Sequence, residues 1–229
     1  MTLSPVAGKK DTADTQGSPV RPKTAQTTKR LPSAERQKLI VQRAASFFAE
    51  HGFDATTRDL AKHLGTTQPL LYKYFKGKDD LIDAVYKNVF LDVWDSEWDV
   101  ILSDRNRPII DRLIEFYRRY TDVIMERGWL RIYLFAGLKG VAITGSYIKL
   151  VEERLITRIV TEISVARGID GASKPDARMI EIGWALQGSI FYHGVRKFAY
   201  GLEPHVDKNV VIGDVVRIFV EGWPSALKG

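Results

Sequence analysis

The stretch that most constrains this chain is "TTRDLAKHLGTTQPLLYKYFKGKDDL", residues 56–81. Leu60, Ala61, Leu64, Leu71 and Phe75 read as the buried side of two short helices broken at Gly65. Thr56 with Asp59 three places on forms a capping box that starts the first helix, with Asp in place of Glu or Gln. Gly65 supplies the left-handed backbone that a tight turn needs, and Ala61 is small where two helices must approach closely. The second helix starts at Thr67 or Gln68, where Pro69 is tolerated because first-turn amides have no intrahelical partner to lose. "KGKDD" ends it, and Lys78 or Asp79 opens another helix.

Helix, glycine turn and short helix make the helix-turn-helix arrangement, in which the second helix enters the major groove N-terminus first. The residues presented there suit that task. Gln68 can donate to and accept from one adenine, while Pro69 and Leu70 offer apolar surface to a thymine methyl. Thr67, Tyr72, Lys73 and Tyr74 can reach phosphate oxygens and set register. Arg58 can lie along phosphate or pair with a guanine, and Lys78 adds a phosphate contact beside free helix amides. The same pattern occurs in helical proteins that never touch nucleic acid, where Gln, Lys and Tyr are ordinary surface.

Charge separates the two readings. The net charge is +6. Residues 1–32 contribute +4 and residues 33–90 contribute +2, while residues 91–229 balance. A positive excess confined to one end points to a polyanion partner at that end. Residues 1–32 hold almost no large apolar side chains and are expected to be a disordered basic tail. Order is expected from "LPSAERQKLIVQRAASFFAEHGF", with Pro32 as a stop, Ser33 as a cap and Gly52 as the end of the first helix.

Together with the preceding "FFAEHGF", the stretch resembles the DNA-binding domain of the tetracycline-repressor (TetR) family of transcriptional regulators. The agreement runs over about residues 36–88, through Gly52-Phe53, Thr56-Thr57, Leu60-Ala61, Leu64-Gly65, Leu71-Tyr72, Phe75, Lys78 and Leu81. Tyr74 stands where the family usually has histidine, Leu70 where it has a small or hydroxyl residue, and the Gly52–Thr56 segment is a residue shorter. The resemblance implies phosphate or base contacts at Thr57, Arg58, Gln68, Pro69, Tyr72, Lys73, Tyr74 and Lys78. It also implies a homodimer on a palindromic operator and a divergent helical C-terminal domain for ligand binding and dimerisation.

The remaining sequence reads as helices without a convincing strand, so the fold class is all-α. The expected organisation is the tail (1–32), a helix-turn-helix domain (33–78) and a ligand-binding and dimerisation bundle (79–229). Most aromatic residues of the bundle should be core. A subset is expected to line a cavity for an apolar or aromatic small molecule: Trp94, Trp98, Tyr117, Tyr120, Trp129, Tyr133, Trp184, Gln187 and Tyr192. "IGWALQGSIFYHGV" interleaves small and large residues and, with "VVIGDVVRIFVEGW", resembles the family's dimer helices; packing within one chain gives the same pattern. There are no cysteines, the four histidines are scattered, and neither a phosphate loop nor a nucleophile elbow occurs, so no metal, cofactor or catalytic residue is expected. The reading is a cytoplasmic, ligand-responsive repressor. A DNA-binding activator or a partner-controlled regulator fits the same residues, and an enzyme fits them poorly.

Overall fold

A computed structural model describes residues 32–169 and 174–227 of the chain. The basic tail, residues 1–31, lies outside the described residues. Those described are helical, with no strand among them.

The first helix, α1 (Ser33–His51), includes Ser33 as its first residue rather than as a cap. It buries Ile40, Val41, Ala44, Phe47 and Phe48 on one face, the spacing expected of an amphipathic helix. Gly52 ends it at φ +68, with its N–H donating to the Phe48 carbonyl. Two short helices follow, α2 (Thr57–His63) and α3 (Gln68–Tyr74), then α4 (Lys78–Tyr86), which runs on through a π-turn at Lys87–Leu91. Against α1 lie α2, α4 and α7 (Arg127–Leu138).

The larger part of the bundle comprises α5 (Ser96–Ser103), α6 (Ile109–Ile124), α7, α8 (Ala142–Val151), α9 (Thr157–Ala166), α10 (Ala177–Phe198) and α11 (Lys208–Leu227). α8 and α9 are joined by a π-turn at Glu152–Ile156. Near that turn α10 approaches most closely. A Cβ on Gly183 would stand 2.6 Å from Val160 Cγ2 and 2.7 Å from Ile156 Cγ2, so only glycine fits. On the same inward face Gly194 meets Met125 and Leu130. Ala185, Gly188 and Ser189 instead lie exposed on the outer face of α10.

One continuous apolar core runs from Ile40 of α1 to Trp223 of α11. It encloses a charged cluster that the sequence did not announce. Glu162 of α9 is 1% exposed and accepts hydrogen bonds from Arg112 (2.9 Å) and Arg105 (3.0 and 3.1 Å). Burial alone would raise the Glu162 pKa; the hydrogen bonds from Arg105 and Arg112 outweigh it and hold the carboxyl below its ordinary range. This cluster ties α6 and the α5–α6 loop to α9.

Candidate nucleic-acid interface and ligand cavity

Local chemistry builds the exposed edge of α2 and α3. The Thr56 hydroxyl accepts from the Asp59 N–H, and an Asp59 carboxylate oxygen accepts from the Thr56 N–H, both at 3.2 Å. The Thr56 side-chain hydrogen bond is the main reason the Asp59 pKa is lowered. Leu60 and Ala61 turn inward. At the far end, Thr66 N–H donates to Ala61 O and Gly65 N–H to Lys62 O, with Gly65 at φ +64. That is the paired C-terminal cap that requires a left-handed residue just past a helix. Thr67 then caps α3, accepting from the Leu70 N–H. Leu71 and the following Phe75 anchor α3 in the core.

With both anchors inward, most of α3 faces out, while Tyr74 packs partly against the core. Tyr72 is 50% exposed. Thr67, Pro69 and Lys73 are exposed, while Gln68, Leu70 and Tyr74 are half-buried. On α2, Arg58 is exposed and Thr57 half-buried. Nine of the ten expected DNA-contact residues therefore lie along one short helix-turn-helix and its flank. Lys78 differs: its ammonium donates to the Phe53 carbonyl and ties the start of α4 to the α1–α2 turn.

A second feature lies deeper in the bundle. Side chains from α6, α7, α8 and α10, with the exposed Gly188, line a cavity of about 200 Å³ that is open on one side. Of the nine residues expected to line a ligand site, Tyr120, Trp129, Tyr133, Trp184 and Gln187 meet there. The other four are elsewhere. Trp98 and Tyr117 are core, Trp94 sits half-buried under the Arg154 guanidinium, and Tyr192 is 54% exposed on α10. Tyr147 and Phe191 complete the ring wall and were not among the expected residues.

Burial governs the wall's chemistry. It pushes the Tyr120 hydroxyl up to about 12, against hydrogen bonds from Tyr147 and Gln187 that pull the other way. It raises Tyr133, and it raises Tyr147 well above its ordinary value. These phenols are neutral at physiological pH. Among the described residues no charged side chain lines the cavity. Trp184 lends its ring to the wall while its indole N–H donates to Glu152 at 2.9 Å.

The helix that supplies two of these rings also grips α1. Arg131 of α7 donates to Ala49 O (2.5 Å) and Glu50 O (3.4 Å), carbonyls of the last turn of α1. Phe135, four residues on, lies under that guanidinium and in contact range of Gly52. Lys139, just past α7, pairs with Asp54.

A family model of bacterial regulatory proteins of the tetR family matches residues 40–85. Over these residues the chain is similar to members of that family. Two curated relatives match part of the chain. The HTH-type transcriptional repressor KstR2 of Mycolicibacterium smegmatis is 35% identical over 86 residues, 37% of this chain and 41% of that one. An uncharacterized HTH-type regulator of Bacillus subtilis, YhgD, is 38% identical over 55 residues, 24% of this chain and 29% of that one. The chain thus matches less than half the length of either relative. Similarity of fold reaches much further. A TetR-like transcriptional regulator from Rhodococcus sp. RHA1 superposes with TM-score 0.62 at 19% identity, covering 86% of this chain and 99% of that one. The ketosteroid transcriptional regulator KstR2 of Mycobacterium tuberculosis does so with TM-score 0.57 at 20% identity, covering 82% and 94%. The fold of these structures, an N-terminal helix-turn-helix followed by a helical C-terminal domain, accordingly extends over most of the chain.

Proposed function

We propose that this protein is a sequence-specific DNA-binding transcriptional regulator, and not an enzyme, that leaves its operator when a small molecule occupies the α6–α10 cavity. The observation that carries the reading is the outward face of α3, polar at both ends of its run and held by two buried anchors, Leu71 and Phe75. In this reading residues 33–78 bind DNA, and residues 79–229 bind the ligand and dimerise. Gln68, Pro69 and Leu70 meet base edges, while Thr57, Arg58, Thr67, Tyr72, Lys73 and Tyr74 hold the backbone. Lys78 acts mainly by fixing α4 to the α1–α2 turn, with its remaining N–H groups free for phosphate.

A homodimer suits a palindromic operator, because two reading helices on successive turns must sit roughly 34–36 Å apart. The outer faces of α10 and α11 favour such a pairing: Tyr192, Val210 and Ile218 are each more than half exposed, beside Ala185, Gly188 and Ser189. Release follows from geometry. A ligand against Trp129 and Tyr133 bears on α7, and α7 holds the end of α1 through Arg131 and Phe135. The ligand shifts the equilibrium by its differential affinity for the two spacings, no more. Repression as the sign of regulation is supported by the repressor named among the relatives. Among the described residues no helix is long and apolar enough to cross a membrane, which suits a regulator acting in the cytoplasm. Selection of bound duplexes from a random pool tests the reading. Recovery of one palindromic sequence supports it, and an unenriched pool contradicts it.

A further inference from the structure

The ligand's chemistry follows from the cavity that the proposed regulator uses, and this inference rests on that reading. With no charged side chain among the described residues of the wall, an ion entering it would lose its hydration without gaining a counter-charge. The ligand is therefore uncharged. A dry cavity of about 150 Å³ holds benzene, so about 200 Å³ holds one ring or two fused rings. The wall favours a flat molecule. Trp129 and Tyr133 stack at 16° with centroids 5.3 Å apart, and Phe191 stands edge-on to both at 73° and 74°.

The polar detail is sharper. Gln187 is 7% exposed, and its Oε1 is buried without a hydrogen-bond partner, although the side chain also meets the Tyr120 hydroxyl. The Trp129 indole N–H is likewise buried and unpartnered. An orphaned amide oxygen in an apolar cavity is costly and is relieved by a ligand that brings a donor. A hydroxyl donates while remaining uncharged, so it serves the amide oxygen in a wall without counter-charge.

We propose that the cavity takes an uncharged mono- or bicyclic aromatic hydroxy compound, its ring against Trp129 and Tyr133 and its hydroxyl on Gln187. Calorimetric titration of the full chain with 2-naphthol, naphthalene and 2-naphthoate tests this. The expected order places 2-naphthol about tenfold tighter than naphthalene, with 2-naphthoate weaker than both. Gln187→Leu should bring 2-naphthol and naphthalene to equal affinity while naphthalene binding persists, which also shows that the variant is folded. Equal affinity for 2-naphthol and naphthalene in the unaltered protein overturns the proposal without any variant, as does preference for 2-naphthoate. A preparation that selects an operator yet binds none of the three overturns the ligand class alone. One that binds 2-naphthol but enriches no duplex overturns the regulator reading alone.

Discussion

Arg131→Met removes the guanidinium that joins the cavity helix to α1 while keeping an unbranched side chain of similar reach. The last carbonyls of a helix lack intrahelical partners, and Arg131 satisfies two of those on α1, at Ala49 and Glu50. Both bonds are charge-assisted, the one to Ala49 half-buried and the one to Glu50 exposed, so the freed carbonyls regain water. About 1 kcal/mol for each bond, with about 0.5 kcal/mol for a cation at the negative end of α1, gives a loss of about 2–3 kcal/mol. For a bundle of this size each kcal/mol moves the midpoint by about 2–4 °C, so thermal unfolding followed by circular dichroism should shift down by about 5–10 °C. The functional consequence is separable. Fluorescence anisotropy of a selected duplex should show the variant still binding DNA, because the α3 face is untouched, while 2-naphthol no longer weakens that binding. A midpoint within about 1 °C of the parent, together with undiminished ligand-induced release, would refute the idea that α7 transmits the signal through this contact.

Three further outcomes follow from the same geometry. Glu162→Gln leaves Arg112, itself 3% exposed, without its counter-charge and should cost about 3 kcal/mol in urea denaturation at neutral pH. Because the folded carboxyl titrates below its unfolded value, its stabilisation is complete above pH of about 4.3 and fades as pH falls through the lowered folded pKa; the acid limb of the stability curve should flatten in the variant. Gly183→Ala drives a methyl into Val160 and Ile156, and overpacking should outweigh the better helix propensity by about 1–2 kcal/mol in the denaturation midpoint. Deleting residues 1–31, which hold six basic and two acidic side chains, should reduce the dependence of DNA affinity on salt and leave site preference intact; an unchanged slope would mark the tail as idle.

What could be read in advance divides by the range of the interaction. The capping box at Thr56, the turn at Gly65 and the tolerance of Pro69 are decided within a few residues, so α2 and α3 were legible to within a residue. The eight-residue α5 is not legible in the apolar pattern, although Asp95 caps it by accepting from the Glu97 N–H; Trp98, Ile101 and Leu102 are too few to set a helical period. The π-turns at Lys87–Leu91 and Glu152–Ile156 insert within continuous helical paths and leave the apolar spacing nearly unchanged. The cavity shows the deeper limit. Trp98 and Trp129 sit in equally apolar helices, and only the convergence of four helices makes one a core residue and the other a wall. Glu162 and its arginines are 50 and 57 residues apart, beyond anything periodicity can report.

Affinity for a selected operator duplex, compared between the parent, Gln68→Ala and Tyr72→Ala, probes the α3 surface most directly. Gln68→Ala is expected to cost about 1–3 kcal/mol and to relax preference at one base position, and Tyr72→Ala to weaken all sequences alike, with both variants keeping the parent's unfolding midpoint. Unaltered affinity and preference in both would mean that this helix does not read DNA, and the regulator assignment built on it would fail.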